Sequence, residues 1–284
     1  MINKVGVIGA GMMGAEIALC FAEAGIDTVL CDISLEFAEK GKEKQNTILT
    51  KKVAKEKITE EVKSEILSNV VPTGDLKDVA DCDLIIEAVV ENLEIKASLY
   101  KSLDEICKRE CVISSNTSSI SITKLASFVS AERAGSFIGT HFNSPASIMK
   151  LVEVIPGILT KETVTQEVIL LLSSLGKEPV QVKDVVGFGL NRLFHCFYAE
   201  ACRLVEEGVC TIEDVDKICV YGLGHPIGIF RLLDNLGHDL NLAVDQIMFE
   251  GYGERFRPSP LLRRLVDANM LGRKSGKGFY DYSE

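Results

Sequence analysis

The sequence predicts an α/β protein, with a doubly wound, mostly parallel sheet over residues 1–185 and a smaller all-helical C-terminal domain over 186–284. Three observations carry that prediction. Residues 5–14 read V-G-V-I-G-A-G-M-M-G, an apolar run that breaks into Gly9, Gly11 and Gly14. Short apolar runs then alternate with helical patterns as far as residue 182, as strands joined by crossover helices require. Beyond Val186 the strand signals stop and helical periodicity takes over.

The glycine spacing is that of a dinucleotide-binding turn. There a buried strand ends, turns sharply and feeds a helix whose first N–H groups face a pyrophosphate, and positions without side chains allow the close approach. The helix is expected over residues 15–24, apolar at Ile17, Ala18, Phe21 and Ala22, and stops at Gly25. A second strand, 28–31, ends in Asp32, where a Rossmann-type domain places the carboxylate that binds the adenine ribose. A carboxylate accepts from both ribose hydroxyls and repels a 2′-phosphate, so the expected cofactor is NAD and not NADP.

Residues 34–69 mix many lysines and glutamates with apolar positions at Phe37, Ile48, Leu49, Val53, Ile58, Val62, Ile66 and Leu67, the pattern of one or two long helices projecting from the nucleotide domain. Residues 83–90 form a buried strand, followed by a helix to about residue 107 and by strands at 111–115, 137–141, 151–155 and 179–182. The second domain reads as helices over 190–207, 212–221, 229–249 and 260–268. Apolar faces on so small a helical domain call for a partner subunit, and a symmetric homodimer is expected.

Composition narrows the function. The 284 residues are 46% hydrophobic, enough for two cores. A formal net charge of −10 argues against a nucleic-acid partner and against an anionic membrane surface. The nine cysteines lack a C-x-x-C pair, so neither a disulfide framework nor a zinc ribbon is expected. Reduced, mostly buried thiols in a cytoplasmic protein are the expectation, with no metal. No charged start leads into an apolar signal core, and no apolar run reaches membrane-spanning length.

A nicotinamide oxidoreductase needs a group that exchanges the hydroxyl proton, and histidine titrates near working pH. Of the four histidines, His141 lies at the end of a predicted strand, on the sheet edge where open α/β folds bind ligands. Glu153 lies in the next strand-like run. If the S-P-A-S segment between them folds back, its carboxylate reaches the second imidazole nitrogen and stabilises imidazolium. The alternatives are a strand-end histidine that only caps and a glutamate at a wet edge.

The ordered set G-A-G-M-M-G (9–14), S-N-T-S-S (115–119), His141-Phe142, M-K-L-V-E-V (149–154), G-F-G-L-N-R (187–192), G-H-P-I-G (224–228) and G-R-K-S-G-K-G-F-Y-D-Y (272–282) resembles the L-3-hydroxyacyl-CoA dehydrogenase family from end to end. The resemblance implies His141 as the acid/base and Glu153 as the group that orients it. It implies Ser118 and Asn191 at the reacting oxygen, where polar donors meet growing negative charge. Cofactor contacts are implied for Gly9, Gly11, Met12, Met13, Gly14, Asp32, Glu91, Lys96, Asn116, Ser118, Ser144 and Lys274. Taken without the resemblance, Lys96 and Lys274 read as solvated surface charges. Among Lys51, Lys52, Lys55 and Lys57, it points to Lys55 first and Lys52 next as the grip on the phosphates of an acyl-CoA substrate.

The chain departs from the family pattern where H-F-F-N-P is usual and His141-Phe142-Asn143-Ser144-Pro145 stands instead. A large aromatic is replaced by Asn143, and the usual asparagine by Ser144. The helical domain has Ile227, Ile229, Arg231 and Gly237-His238-Asp239 at further departures. These changes keep open a dehydrogenase of a free hydroxy acid, and a silent NAD-binding relative.

Overall fold

A computed structural model describes residues 2–283. The chain divides into two compact units, Met1–Val185 and Val186–Glu284.

The first unit is built on eight strands, β1 (Lys4–Ile8), β2 (Asp27–Cys31), β3 (Val70–Thr73), β4 (Leu84–Glu87), β5 (Val112–Ser115), β6 (Phe137–Phe142), β7 (Leu151–Pro156) and β8 (Glu178–Gln181). They lie in the order β3-β2-β1-β4-β5-β6-β7-β8. Among the described residues every neighbouring pair is parallel except β6 and β7. The exception follows from chain length. Residues 143–150 are too few for a crossover helix, so β7 must return antiparallel beside β6.

Helices α1 (Met12–Glu23), α2 (Leu35–Ala54), α3 (Glu60–Ser68), α4 (Leu93–Ile106), α5 (Ile122–Ala126), α6 (Ala131–Ala134) and α7 (Glu162–Ser174) complete the unit. Helix α1 begins three residues earlier than the apolar pattern indicated, because the glycine turn runs straight into it. The polar stretch after Asp32 resolves into two helices, each capped by a hydroxyl: Ser34 accepts from the Phe37 N–H and Thr59 from the Val62 N–H. The core joins Val5, Val7, Leu30, Leu84 and Ile86 of the sheet to Ile17 and Phe21 of α1. Strand β3 escaped the sequence reading because Pro72 interrupts its short run. It is tolerated because β3 lies at an edge. Helix α7 was also missed.

The second unit holds α8 (Leu190–Glu206), α9 (Ile212–Lys217), α10 (Ile229–Leu236), α11 (His238–Tyr252) and α12 (Pro260–Asp267) around Tyr198, Phe230, Leu233 and Leu262. The helix expected over 229–249 is two, broken at Gly237 with φ +99°. Two buried aspartates tie the unit's end to its helices. Asp234 accepts from the N–H groups of Phe279 (2.9 Å) and Tyr280 (3.0 Å) and from the Tyr282 hydroxyl (3.0 Å). Asp216 accepts from the Phe230 N–H and the Tyr280 hydroxyl, each at 2.8 Å. The aromatic C-terminal motif is thus a structural latch. Among the described residues, no helix is long and apolar enough to cross a membrane.

Candidate active site

The nucleotide end of the first unit is shaped by what its glycines leave out. Gly9 has φ +98°, and a Cβ there would lie 2.7 Å from the Ala88 carbonyl oxygen. A Cβ on Gly14 would lie 1.7 Å from the Gly9 carbonyl oxygen, so only glycine lets α1 start this close to β1. Gly11, the residue before α1, has nothing within 4 Å of that position, and Met12 beside it is exposed while Met13 is half-buried. An open face at a helix N-terminus with aligned N–H groups is what a pyrophosphate requires.

Asp32 follows β2. One carboxylate oxygen accepts from the Ala10 N–H (2.6 Å) and the other from the Ile33 N–H (2.7 Å), which fixes the side chain while further lone pairs remain for hydroxyl donors. A cavity of about 410 Å³ beside it is lined by Ile33, Leu76, Val89, Ile95 and Leu99 together with Asp32, an apolar slot closed by one carboxylate. The residues fit an adenosine. The turn, the acid and the slot together suit a dinucleotide.

Further along the same carboxyl edge, the ends of β4, β5 and β6 carry the remaining groups. The connection 143–150 folds back, and His141 and Glu153 are register partners across the antiparallel pair. His141 Nδ1 lies 2.8 Å from a Glu153 carboxylate oxygen, with side-chain exposures of 10% and 2%. A carboxylate only accepts, so Nδ1 carries a proton and donates. The side-chain oxygen of Asn116 accepts from the Phe142 N–H at 2.8 Å and so fixes the residue next to His141.

Glu91 holds the 115–119 segment. Its carboxylate accepts from the Thr117 hydroxyl, from the N–H groups of Ser118 (3.2 Å) and Ser119 (3.3 Å), and from the Ser119 hydroxyl (2.9 Å). Burial pushes this carboxyl upward, but the Lys96 ammonium and the hydroxyl donors outweigh it and hold it below its ordinary value. Lys96 is not a solvated charge: it is 1% exposed and its ammonium reaches both oxygens of Glu87 (2.6 and 2.8 Å) and one of Glu91 (3.0 Å). Glu87 is a residue the sequence reading missed. Its signal was present, a lone glutamate closing an apolar strand, with Lys96, Tyr100 and Leu103 at the i, i+4, i+7 spacing of the buried face of α4.

The departure after Phe142 also has a place. The Asn143 side-chain amide donates to the Leu151 carbonyl oxygen at 3.1 Å and so clips the β6–β7 connection, whereas Ser144 is exposed. Lys52 is half-buried and ion-paired with Glu23, while Lys55 at the end of α2 is exposed. In the second unit Asn191 lies in the first turn of α8, and Lys274 is half-exposed and paired with Asp239 at 2.6 Å.

Comparison with known proteins bears on this assembly. The model of the 3-hydroxyacyl-CoA dehydrogenase NAD-binding domain matches residues 4–185, and that of the C-terminal domain of the same family matches residues 187–282. The chain is similar to the probable 3-hydroxybutyryl-CoA dehydrogenase of Deinococcus radiodurans, 44% identical over 280 residues that cover 98% of this chain and 100% of that one. It is 41% identical to the 3-hydroxybutyryl-CoA dehydrogenase of Bradyrhizobium diazoefficiens, over 99% of this chain and 96% of the other. The crystal structure of (S)-3-hydroxybutyryl-CoA dehydrogenase from Ralstonia eutropha superposes with a TM-score of 0.95 at 39% identity, over 100% of both chains.

Proposed function

The chain belongs to the 3-hydroxyacyl-CoA dehydrogenase family, NAD-dependent oxidoreductases, and on that premise we propose that it interconverts (S)-3-hydroxybutyryl-CoA and acetoacetyl-CoA. The observation that carries this reading is the buried His141–Glu153 pair at the carboxyl edge of the nucleotide-binding sheet. Bound NAD supplies the two-electron hydride acceptor for carbon 3 of the substrate. His141 takes the hydroxyl proton in oxidation and returns it in reduction. Since Nδ1 is held by Glu153, that exchange belongs to Nε2. The Glu153 carboxylate fixes the ring and stabilises the imidazolium that forms, the same logic as the acid of a hydrolytic triad. Ser118 takes the reacting oxygen, Asn116 and Ser144 the cofactor side of the site, and Asn191 of the helical unit is a further polar donor for the substrate. Lys55, with Lys52 behind it, meets the phosphates of coenzyme A.

We further propose a homodimer formed through the helical unit, which exposes Leu193 (75%), Tyr221 (86%), Leu223 and Leu240. Light scattering of the purified protein tests it, and a monomer at micromolar concentration removes it. A cytoplasmic location agrees with the nine unpaired thiols, seven of them buried.

The decisive assay follows NADH oxidation with acetoacetyl-CoA, with free acetoacetate as the paired control. Turnover confined to the thioester is expected. Turnover with free acetoacetate alone would establish the hydroxy-acid reading, and NADH binding without any turnover would establish a silent relative.

A further inference from the structure

The fully buried carboxylate at the end of β4 has more partners than any catalytic assignment uses. One Glu87 oxygen accepts from the Val89 N–H (2.8 Å) and from Lys96 (2.6 Å). The other accepts from Lys96 (2.8 Å), the Tyr100 hydroxyl (2.5 Å) and the Ser115 hydroxyl (2.7 Å). The Glu87 main-chain oxygen accepts from the Asn116 N–H at 2.8 Å. One residue thus ties together the end of β4, the inner face of α4 and the end of β5. A carboxylate removed from water is costly unless paired and hydrogen-bonded, and this one is both.

The links run in two directions. Through Ser115 and Asn116, Glu87 fixes the amide whose oxygen holds the Phe142 N–H, one residue from His141. Through Lys96 it fixes Glu91, whose carboxylate holds Thr117, Ser118 and Ser119. The three N–H donors of Lys96 meet three carboxylate oxygens, so its ammonium is spent inside the protein.

We infer that Glu87 is a positioning residue for the proposed dehydrogenase reaction, holding both ends of the 115–119 segment so that Ser118, Asn116 and His141 keep one mutual geometry. This deepens the reading of the active site and rests on it. Catalytic steps that depend on orientation lose rate for small displacements even when binding survives. Tyr100 donates to the same carboxylate and its ring packs edge-to-face on Phe137, at the opposite end of β6 from His141, a contact that phenylalanine keeps, which makes Tyr100→Phe the control for plain destabilisation.

The test compares Glu87→Gln, Ser115→Ala and Tyr100→Phe in the full-length protein by kinetics, thermal melting and amide hydrogen exchange. Glutamine puts an NH2 where a carboxylate oxygen accepts and leaves Lys96 short of an acceptor. Glu87→Gln is expected to lower kcat at least tenfold with KM for NADH within about twofold, and to speed exchange at Ser118, Ser119 and Phe142 at least tenfold. Ser115→Ala should lower kcat in the same direction by less, and Tyr100→Phe should lower the melting temperature while kcat stays near wild type. If kcat falls in step with the melting temperature across all three, Glu87 is merely structural and the inference is overturned. If Glu87→Gln does not fold, Ser115→Ala against Tyr100→Phe decides the same question. Exchange is read without substrate, so a wild type that fails to turn over acetoacetyl-CoA would refute the reaction, while unchanged protection at Ser118 and Phe142 would refute the positioning.

Discussion

Replacing Glu153 with glutamine isolates the charge behind His141, because the side chain keeps its length and loses only its ionisation. In wild type the buried carboxylate sits 2.8 Å from Nδ1. A hydrogen bond to a charged group contributes roughly 1.5–3 kcal/mol where a neutral one contributes about 1. The imidazolium forms only as the proton moves, so most of that difference belongs to the transition state. That difference is about 0.5–2 kcal/mol, and at about 1.4 kcal/mol per factor of ten, kcat should fall roughly two- to thirtyfold. If the glutamine presents its NH2 to Nδ1, the ring is forced into the other tautomer, and the loss approaches the ~10⁴ that such an inversion costs in serine proteases. The assay is NADH oxidation at saturating acetoacetyl-CoA, with NADH affinity from fluorescence titration and folding from thermal melting. Affinity for NADH should stay within about twofold, because Glu153 lies behind the histidine. A variant whose kcat equals that of wild type, folded and saturated, would refute the assignment of Glu153 as the group that stabilises the imidazolium.

Asp32 leads to a strong cofactor preference: KM for NADH should be far below that for NADPH, and comparable values would remove Asp32 from the ribose. Lys55→Glu should raise KM for acetoacetyl-CoA several-fold with kcat nearly unchanged, and an unchanged KM would exclude the end of α2 from the substrate. In the helical unit, burial pushes the Asp234 carboxyl up, but His238, the N–H groups of Phe279 and Tyr280 and the Tyr282 hydroxyl outweigh it and hold the carboxyl below its usual range. A carboxyl depressed in the folded state contributes stability that is complete above its unfolded value near ~3.9 and is lost as pH falls through the lower folded value. Asp234→Asn should therefore cost on the order of 3–5 kcal/mol at neutral pH and flatten the acid side of the melting-temperature profile, since it leaves His238 buried without its carboxylate. An unchanged profile would mean that the latch contributes nothing to folding.

The first strand, the glycine turn, the first helix and the acid at residue 32 were all legible in the sequence, because each has its own local cause. Strand direction was less so. Alternating strands and helices suggest a mostly parallel sheet without saying which strand reverses, and the reversal at β7 lies in the shortness of residues 143–150, not in any residue type. The break at Gly237 was hidden because apolar periodicity continues on both sides of it. Only the glycine marks the change of direction, and a glycine inside a helical pattern is often tolerated. Strand β3 carries the opposite difficulty, a proline that argues against a strand unless the strand is known to be at an edge.

Charged residues were the hardest part to place, and the reason is general. Charge in a sequence is read as exposure, which misplaced Lys96 when taken without the family resemblance. Yet Lys96 and Glu87 carry opposite charges on adjoining elements, and both occupy positions whose neighbours in the pattern are buried. Two such residues solve each other's desolvation, and neither is intelligible alone. The same holds for Asp234 and His238, four residues apart across the break at Gly237. His238 Nδ1 faces the Met270 carbonyl oxygen at 2.8 Å and Nε2 faces the Asp234 carboxylate at 2.7 Å. The carbonyl oxygen can only accept, so Nδ1 carries a proton and donates. The departure that put histidine at residue 238 brings a buried imidazole against the aspartate that holds the C-terminal latch. It acts on the stability of the helical unit, which is where substitution of His238 by leucine should be felt.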